Sequence, residues 1–191
     1  MLQSVLAEAK EFLDVGNLGN LRINQRVNMS HVVLEIKIVE KLWGNNPEND
    51  NFEKVIQLSN IKLSYDLRSQ GYFEGIMHFL KSYVDNNHYA ALFVSEIVNN
   101  RLRLKFYKTP QWIRLPGNIH NVSFAWSPLE NIKKNIPRMG ESEVALEKEY
   151  FNSDREKQRQ AESEKSDLQM WTRLSQLDDD DDDDEYEEDQ H

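Results

Sequence analysis

The sequence predicts an α/β fold: a mixed, mostly antiparallel sheet flanked by helices, followed by a charged helix and an acidic tail. Three observations carry this. HVVLEIKIVEKLW (31–43) and KVIQLSNIKLSYDL (54–67) alternate apolar and polar residues, as half-buried strands do. After Gly71 the apolar spacing changes to that of a helix: Phe73, Ile76, Met77, Leu80 and Val84 share one face. YAALFVSEIV (89–98) is a short, almost wholly apolar run, the pattern of a strand buried on both faces.

The remaining elements follow in order. Leu2, Val5, Leu6, Ala9, Phe12 and Leu13 make one face of an N-terminal helix that Gly16 and Gly19 end. Leu21–Val27 alternates briefly, as a short strand would. GNNPENDN (44–51) is dense in turn formers and joins the two long strands into a hairpin. In the second strand the alternation changes phase at Ser59-Asn60, which one extra residue, a β-bulge, would restore. Asn99 or Asn100 can cap a helix bearing Leu102, Leu104, Phe106 and Tyr107, which Pro110 stops. Trp112–Leu115 and Asn121–Trp126 read as two last short strands. Residues 1–135 thus form one domain, 136–177 a charged helical or linker segment and 178–191 an acidic tail.

Charge is distributed unevenly over the 191 residues, whose formal net charge is −10. Residues 178–189 read DDDDDDDEYEED and hold 11 of the 33 acidic side chains, so 22 remain against 23 basic ones elsewhere. Eleven like charges in twelve residues cannot be compensated in a packed core, and the tail is expected to be disordered. No apolar run reaches the length of a membrane span, and the N-terminus lacks the basic and apolar regions of a secretory signal. With no cysteine there is no disulfide, thiol nucleophile or Cys-based zinc site, and five scattered histidines lack ligand spacing. No metal is expected, and a cytoplasmic location is the default. A near-neutral body without an aromatic-interleaved basic stripe argues against direct nucleic-acid binding.

One order of elements carries chemistry: hairpin, R-x-x-G, helix, buried strand, Asn, then a helix bearing Tyr. The turn reads Arg68-Ser69-Gln70-Gly71-Tyr72-Phe73. Such a turn directs backbone N–H groups and a helix N-terminus at one point, where a pyrophosphate can bind. Further on, Asn100 and Tyr107 are separated by six residues, and Trp112 follows Tyr107 by five. On these residues, over 21–126, the sequence resembles the GCN5-related N-acetyltransferase superfamily, including truncated forms of that fold in bacteriophage proteins. The resemblance implies an acetyl-CoA site. Arg68, Ser69, Gln70, Gly71, Tyr72 and Phe73 would cradle the pyrophosphate, Asn100 would hold the pantetheine, and Tyr107 would protonate the departing thiolate.

Four departures from the family pattern stand beside it. Phe73 replaces a small residue, and Gln111 a glycine. About 30 residues precede the hairpin where the family places a strand and two helices, so the acceptor pocket is expected to be shallow or completed by a partner. No residue announces itself as the general base: Glu96 leads, with Glu35, Glu40 and Asp66 behind it. Each site residue also has a plain reading: Arg68 and Gly71 as a helix-start turn, and Tyr107, Trp112 and Trp126 as packed aromatics.

Two functions are therefore expected. One is an acetyl-CoA-dependent N-acetyltransferase acting on an amine, with a protein among the candidate acceptors. The other is a catalytically idle member of the fold, serving protein contacts through an acidic tail that engages a basic partner surface. For the tail three readings stand open: a solubilising segment, a mimic of nucleic acid toward a basic partner, or an electrostatic lid over Arg101, Arg103, Lys105 and Lys108.

Overall fold

The two alternating stretches pair antiparallel as β2 (Ser30–Leu42) and β3 (Phe52–Leu63) in the computed structural model. The structure describes residues 1–27, 30–42, 52–68, 70–97, 99–119 and 122–177, and all their side chains except those of Leu42, Phe52, Asn100, Asp154, Gln160 and 171–177. The 44–51 turn and the acidic tail lie outside the described residues. β1 (Gly19–Val27) joins the free side of β2. With β4 (Ala91–Ile97), β5 (Ile113–Arg114) and β6 (Val122–Trp126), the strands form one six-stranded sheet of order β1-β2-β3-β4-β6-β5. Only β3 and β4 are parallel, which requires a crossover, and a helix supplies it.

That helix is α3 (Tyr72–Asn86), whose buried Ile76, Met77, Leu80, Tyr83 and Val84 lie on the sheet. On the same side α1 (Leu2–Val15) buries Val5, Ala9 and Leu13, and α4 (Asn100–Lys108) buries Phe106. They pack on the inward residues of the strands, Ile23, Leu34, Ile36, Ile56, Leu58, Leu92, Val94 and Phe124. α1 also covers Gln25, whose amide donates to Ser4 and Glu8 at 3.1 and 3.2 Å. Gly16 ends α1 with φ of 66°, a left-handed conformation in which glycine carries no steric penalty.

The opposite side of the sheet holds a smaller core. Val55, Phe93, Ile113 and Ala125 meet Ile132 and Ile136, around the short helix α5 (Glu130–Asn135). Sequence periodicity passes over α5; the Ile132/Ile136 spacing is its signal. The strand reading of 54–67 also runs too far, because Tyr65–Arg68 forms a helical turn, α2. Ser64 and Asp66 hold it: the Ser64 hydroxyl accepts from the His31 N–H at 3.0 Å and donates to Asp66. Short polar side chains that bond nearby backbone compete with strand pairing.

The charged C-terminal segment is helical, as α6 (Glu141–Asn152) and α7 (Asp154–Leu177). α6 inserts Phe151, 1% exposed, into the main core, where the Arg103 guanidinium covers its ring at 4.5 Å. Among the described residues, no helix is long and apolar enough to cross a membrane.

Candidate functional site

β3 and β4 pair only from Val55–Leu58 to Ala91–Val94, and there the ladder stops. Both strands are bulged at that level. On β3, Leu58 opposes Ile36 and Asn60 opposes Glu35, which leaves Ser59 as the extra residue at the predicted position. On β4, Val94 opposes Phe124 and Ile97 opposes Val122, so Ser95 and Glu96 together face Ser123. Bulges bend and twist a strand, and two on neighbouring parallel strands part them. Gln57 bridges the base of the opening, its amide donating to the Ser95 hydroxyl at 3.1 Å. Beyond it the facing edges of 59–63 and 95–97 share no pairing, and their backbone groups can serve a ligand laid between them.

Glu96 stands at the β4 bulge with φ of 56°, rare for a residue with a Cβ, and its side chain is exposed. Its N–H donates to the Ser123 hydroxyl at 3.3 Å. Glu35 lies across from Asn60 on β2 and pairs with Lys37 at 3.1 Å, which holds its carboxyl below the usual range. Glu40 lies further along β2, paired opposite Lys54. Asp66 accepts from the hydroxyls of Ser30 and Ser64.

The chain leaves β3 at the open end, makes α2 and enters α3 through Gly71. Gly71 is left-handed, with φ of 75°, and a Cβ there would meet nothing within 4 Å. The space above the turn is therefore open. The first turn of α3 presents N–H groups that no intrahelical carbonyl can satisfy. Arg68 is anchored by Nε to the Leu63 carbonyl at 2.9 Å, and its terminal nitrogen lies 3.5 Å from Asp167 of α7. Gln70 is exposed and its N–H bonds the Leu67 carbonyl at 3.2 Å; Tyr72 packs at the core margin. Ser69 lies outside the described residues.

Phe73 points away from the turn, toward α4. It meets Phe106 edge-on at 6.2 Å, with the Lys105 ammonium 5.7 Å from its ring, and lines a cavity of about 60 Å³ with Met77, Thr109 and Trp112. The bulky residue at the family's small position is thus part of the α3–α4 seam. Lys105 also pairs with Glu74, fastening the same two helices.

α4 begins at the C-terminal end of β4. Asn99 is its cap, accepting from the Leu102 N–H at 3.0 Å, while Asn100 is the first helical residue and its side chain lies outside the described residues. Arg101 is 81% exposed and lies 3.9 Å from Glu164 of α7. Arg103 is buried and donates to the Ile97 carbonyl. At the far end of α4 the Tyr107 hydroxyl donates to Glu147 of α6, with Arg114 Nε at 3.3 Å from its oxygen. Burial first, and then the bond to Glu147, push the Tyr107 pKa far up, so the phenol keeps its proton. Its ring meets Phe124 edge-on at 5.0 Å.

Arg114 and Glu147 are the residues of this region that sequence reasoning misses. Arg114 sits inside the apolar run of a short strand, and Glu147 is one acidic residue among several on a charged helix, 33 residues away. Among the described residues, no group of three or more His, Asp or Glu side chains could hold a metal ion.

No family model and no curated protein matches the chain. It is similar to several solved structures. One is a mutant AtaT toxin bound to the C-terminus of the antitoxin AtaR and acetyl-CoA, at 15% identity over 54% of this chain, with a TM-score of 0.36. The match spans 61% of that toxin chain, less than two thirds of its length. Another is the KacTA–DNA complex, at 14% identity over 69% of this chain and 83% of that one, TM-score 0.35. A third is the Bacillus subtilis N-acetyltransferase YlbP in complex with coenzyme A, at 14% identity over 64% and 80%, TM-score 0.32. The chain's own strands give the mixed, mostly antiparallel sheet flanked by helices that the acetyltransferase resemblance implies; in it β3 and β4 run parallel and are unpaired beyond Leu58 and Val94.

Proposed function

We propose that the domain is an acetyl-CoA-dependent N-acetyltransferase. The observation that carries this reading is the parting of β3 from β4 at two facing bulges, with the N-termini of α3 and α4 at the open end. An extended thioester cofactor fits such a wedge: its amides extend the edge of a strand, and its phosphates reach the α3 turn. The open space above Gly71 supports that placement.

In the reaction an acceptor amine loses a proton and attacks the thioester carbonyl. The C–N bond forms, the C–S bond breaks, and the thiolate takes a proton. Glu96, exposed at the β4 bulge, is assigned the first proton through a bridging water, and Tyr107 the second. Backbone N–H groups along the parted strands steady the oxyanion. Arg68 and the 69–73 turn hold the pyrophosphate, and Asn100 the pantetheine. The acceptor is an amine, with a protein side chain among the candidates.

A second reading has its own support. The Tyr107 hydroxyl is engaged by Glu147, and Arg68 and Arg101 are met by carboxylates of α7. An idle fold used for protein contacts, with the acidic tail on a basic partner, accounts for both. Calorimetry of the full chain with acetyl-CoA separates the two. The enzyme reading expects one site of micromolar affinity, lost in Gly71→Glu, whose carboxylate would stand where the phosphates bind. An absence of binding at millimolar acetyl-CoA would overturn it.

A further inference from the structure

The sheet has a polar face that neither core uses. Cross-strand partners share a face, so Arg22 stands with Glu35 and Asn60, Asn24 with Val33 and Lys62, and Arg26 with His31. One register further down, Asn20 stands with Lys37 and Gln57. This is the side on which the smaller core lies, but of β1–β3 that core takes only Val39 and Val55. Over the outer half of β1–β3 the face carries four cationic side chains, Arg22, Arg26, Lys37 and Lys62, set among asparagines and a glutamine. Among the described residues of this strip the one carboxylate is Glu35, which pairs with Lys37. Asn20, Arg22, Asn24, Arg26 and Lys62 are exposed.

We infer that this face docks the chain's own acidic segment, residues 178–189. Charge is the first argument: a cationic, hydrogen-bonding strip with one carboxylate meets 11 acidic side chains in 12 residues. Reach is the second. Asp167 of α7 lies at Arg68, and Arg68 is bonded to the carbonyl of Leu63, the last residue of β3 and the neighbour of Lys62. From Asp167 to the end of α7 is ten residues, about 15 Å of helix whatever its heading. Twelve extended residues span roughly 40 Å. The strip itself is smaller: two strand spacings wide, about 10 Å, and about 13 Å along β1 from Arg22 to Arg26. A covalently attached segment within that radius has an effective concentration of order millimolar, so a weak electrostatic contact suffices.

Because the chain has no cysteine, His191→Cys gives a single attachment point for a nitroxide on the full-length protein. Docking predicts that the backbone amide signals of 22–26 and 60–62 lose more than half their intensity at about 50 mM salt and regain it at about 500 mM, as screening requires. In Arg22→Glu/Arg26→Glu the same amides should keep their intensity at low salt, with the rest of the spectrum unchanged. Full intensity on this face at low salt would overturn the inference. So would attenuation on 101–108 instead, which puts the tail on α4. Attenuation that appears only between isotope-labelled and nitroxide-labelled molecules would assign the face to a second copy. Amides that ignore the tail but shift with a short single-stranded DNA would assign it to nucleic acid.

Discussion

The Arg114 guanidinium meets both carboxylate oxygens of Glu147, at 2.7 and 2.9 Å, and each residue is only 5% exposed. The pair joins the short edge strand β5 to α6, and the Tyr107 hydroxyl completes it from α4. Breaking a buried pair strands a charge, so Glu147→Gln should cost about 3–5 kcal/mol in urea unfolding. Replacing both partners with apolar residues, as in Arg114→Met/Glu147→Leu, should recover most of that loss. A double variant no more stable than the single one would mean that the hydrogen bonds to Leu115 and Asn118 carbonyls, not the ion pair, are what Arg114 supplies.

How far the sequence shows this site depends on the range of the interaction. The β2–β3 hairpin and the Ser59 bulge are legible because a strand writes its faces into a two-residue period, and a phase change is a local event. α3 and its start at Gly71 are legible for the same reason. The direction of Phe73 is not, since it depends on where Phe106 and Lys105 stand on another helix. Arg114 with Glu147 is invisible: the partners are far apart, and nothing in α6 distinguishes Glu147 from its acidic neighbours. The wedge lies between these cases. Both bulges are local, but the parting is a property of two strands in register.

Asp66 links the turn to pH. Partial desolvation at the turn, the largest single influence although the residue is largely exposed, pushes its carboxyl up, but the hydroxyls of Ser30 and Ser64 with the N–H groups of Asp66 and Leu67 together outweigh it and hold the carboxyl below its ordinary value. A lowered folded pKa means stability that is present above the unfolded value and lost as the pH falls through the folded one. Asp66→Ala should therefore cost about 1 kcal/mol at neutral pH, a modest figure because the carboxylate is exposed. The gap between the variant and the parent should close as the pH drops below 3.8. Parallel unfolding curves at every pH would remove the carboxylate from this role.

α7 sets two carboxylates against cations at the approach to α3 and the start of α4: Asp167 at 3.5 Å from Arg68, and Glu164 at 3.9 Å from Arg101. Under the acetyltransferase reading these compete with the cofactor's phosphates. Exposed pairs of this kind are worth about 0.5 kcal/mol each. Glu164→Gln/Asp167→Asn should then tighten acetyl-CoA about five-fold at low salt, with a smaller gain as salt rises. Weaker binding in the double variant would make α7 a wall of the site and not a competitor for it.

Tyr107 separates its two roles by what Tyr107→Phe does to stability and to turnover. The hydroxyl donates to a buried carboxylate, so its removal should cost about 1–2 kcal/mol of stability whether or not the domain is an enzyme. If the phenol also protonates the thiolate, the variant should lose roughly 100-fold in kcat while the KM for acetyl-CoA holds. The acid role further requires the proton to turn from Glu147 toward the wedge as the thiolate forms. Glu147→Gln, which removes the negative charge but keeps an acceptor, should then leave more activity than Tyr107→Phe. Equal turnover in Tyr107→Phe and the parent, with the stability loss intact, would leave Tyr107 as the clasp between α4 and α6 and nothing more. The proton would then have to reach the thiolate from water admitted between β3 and β4.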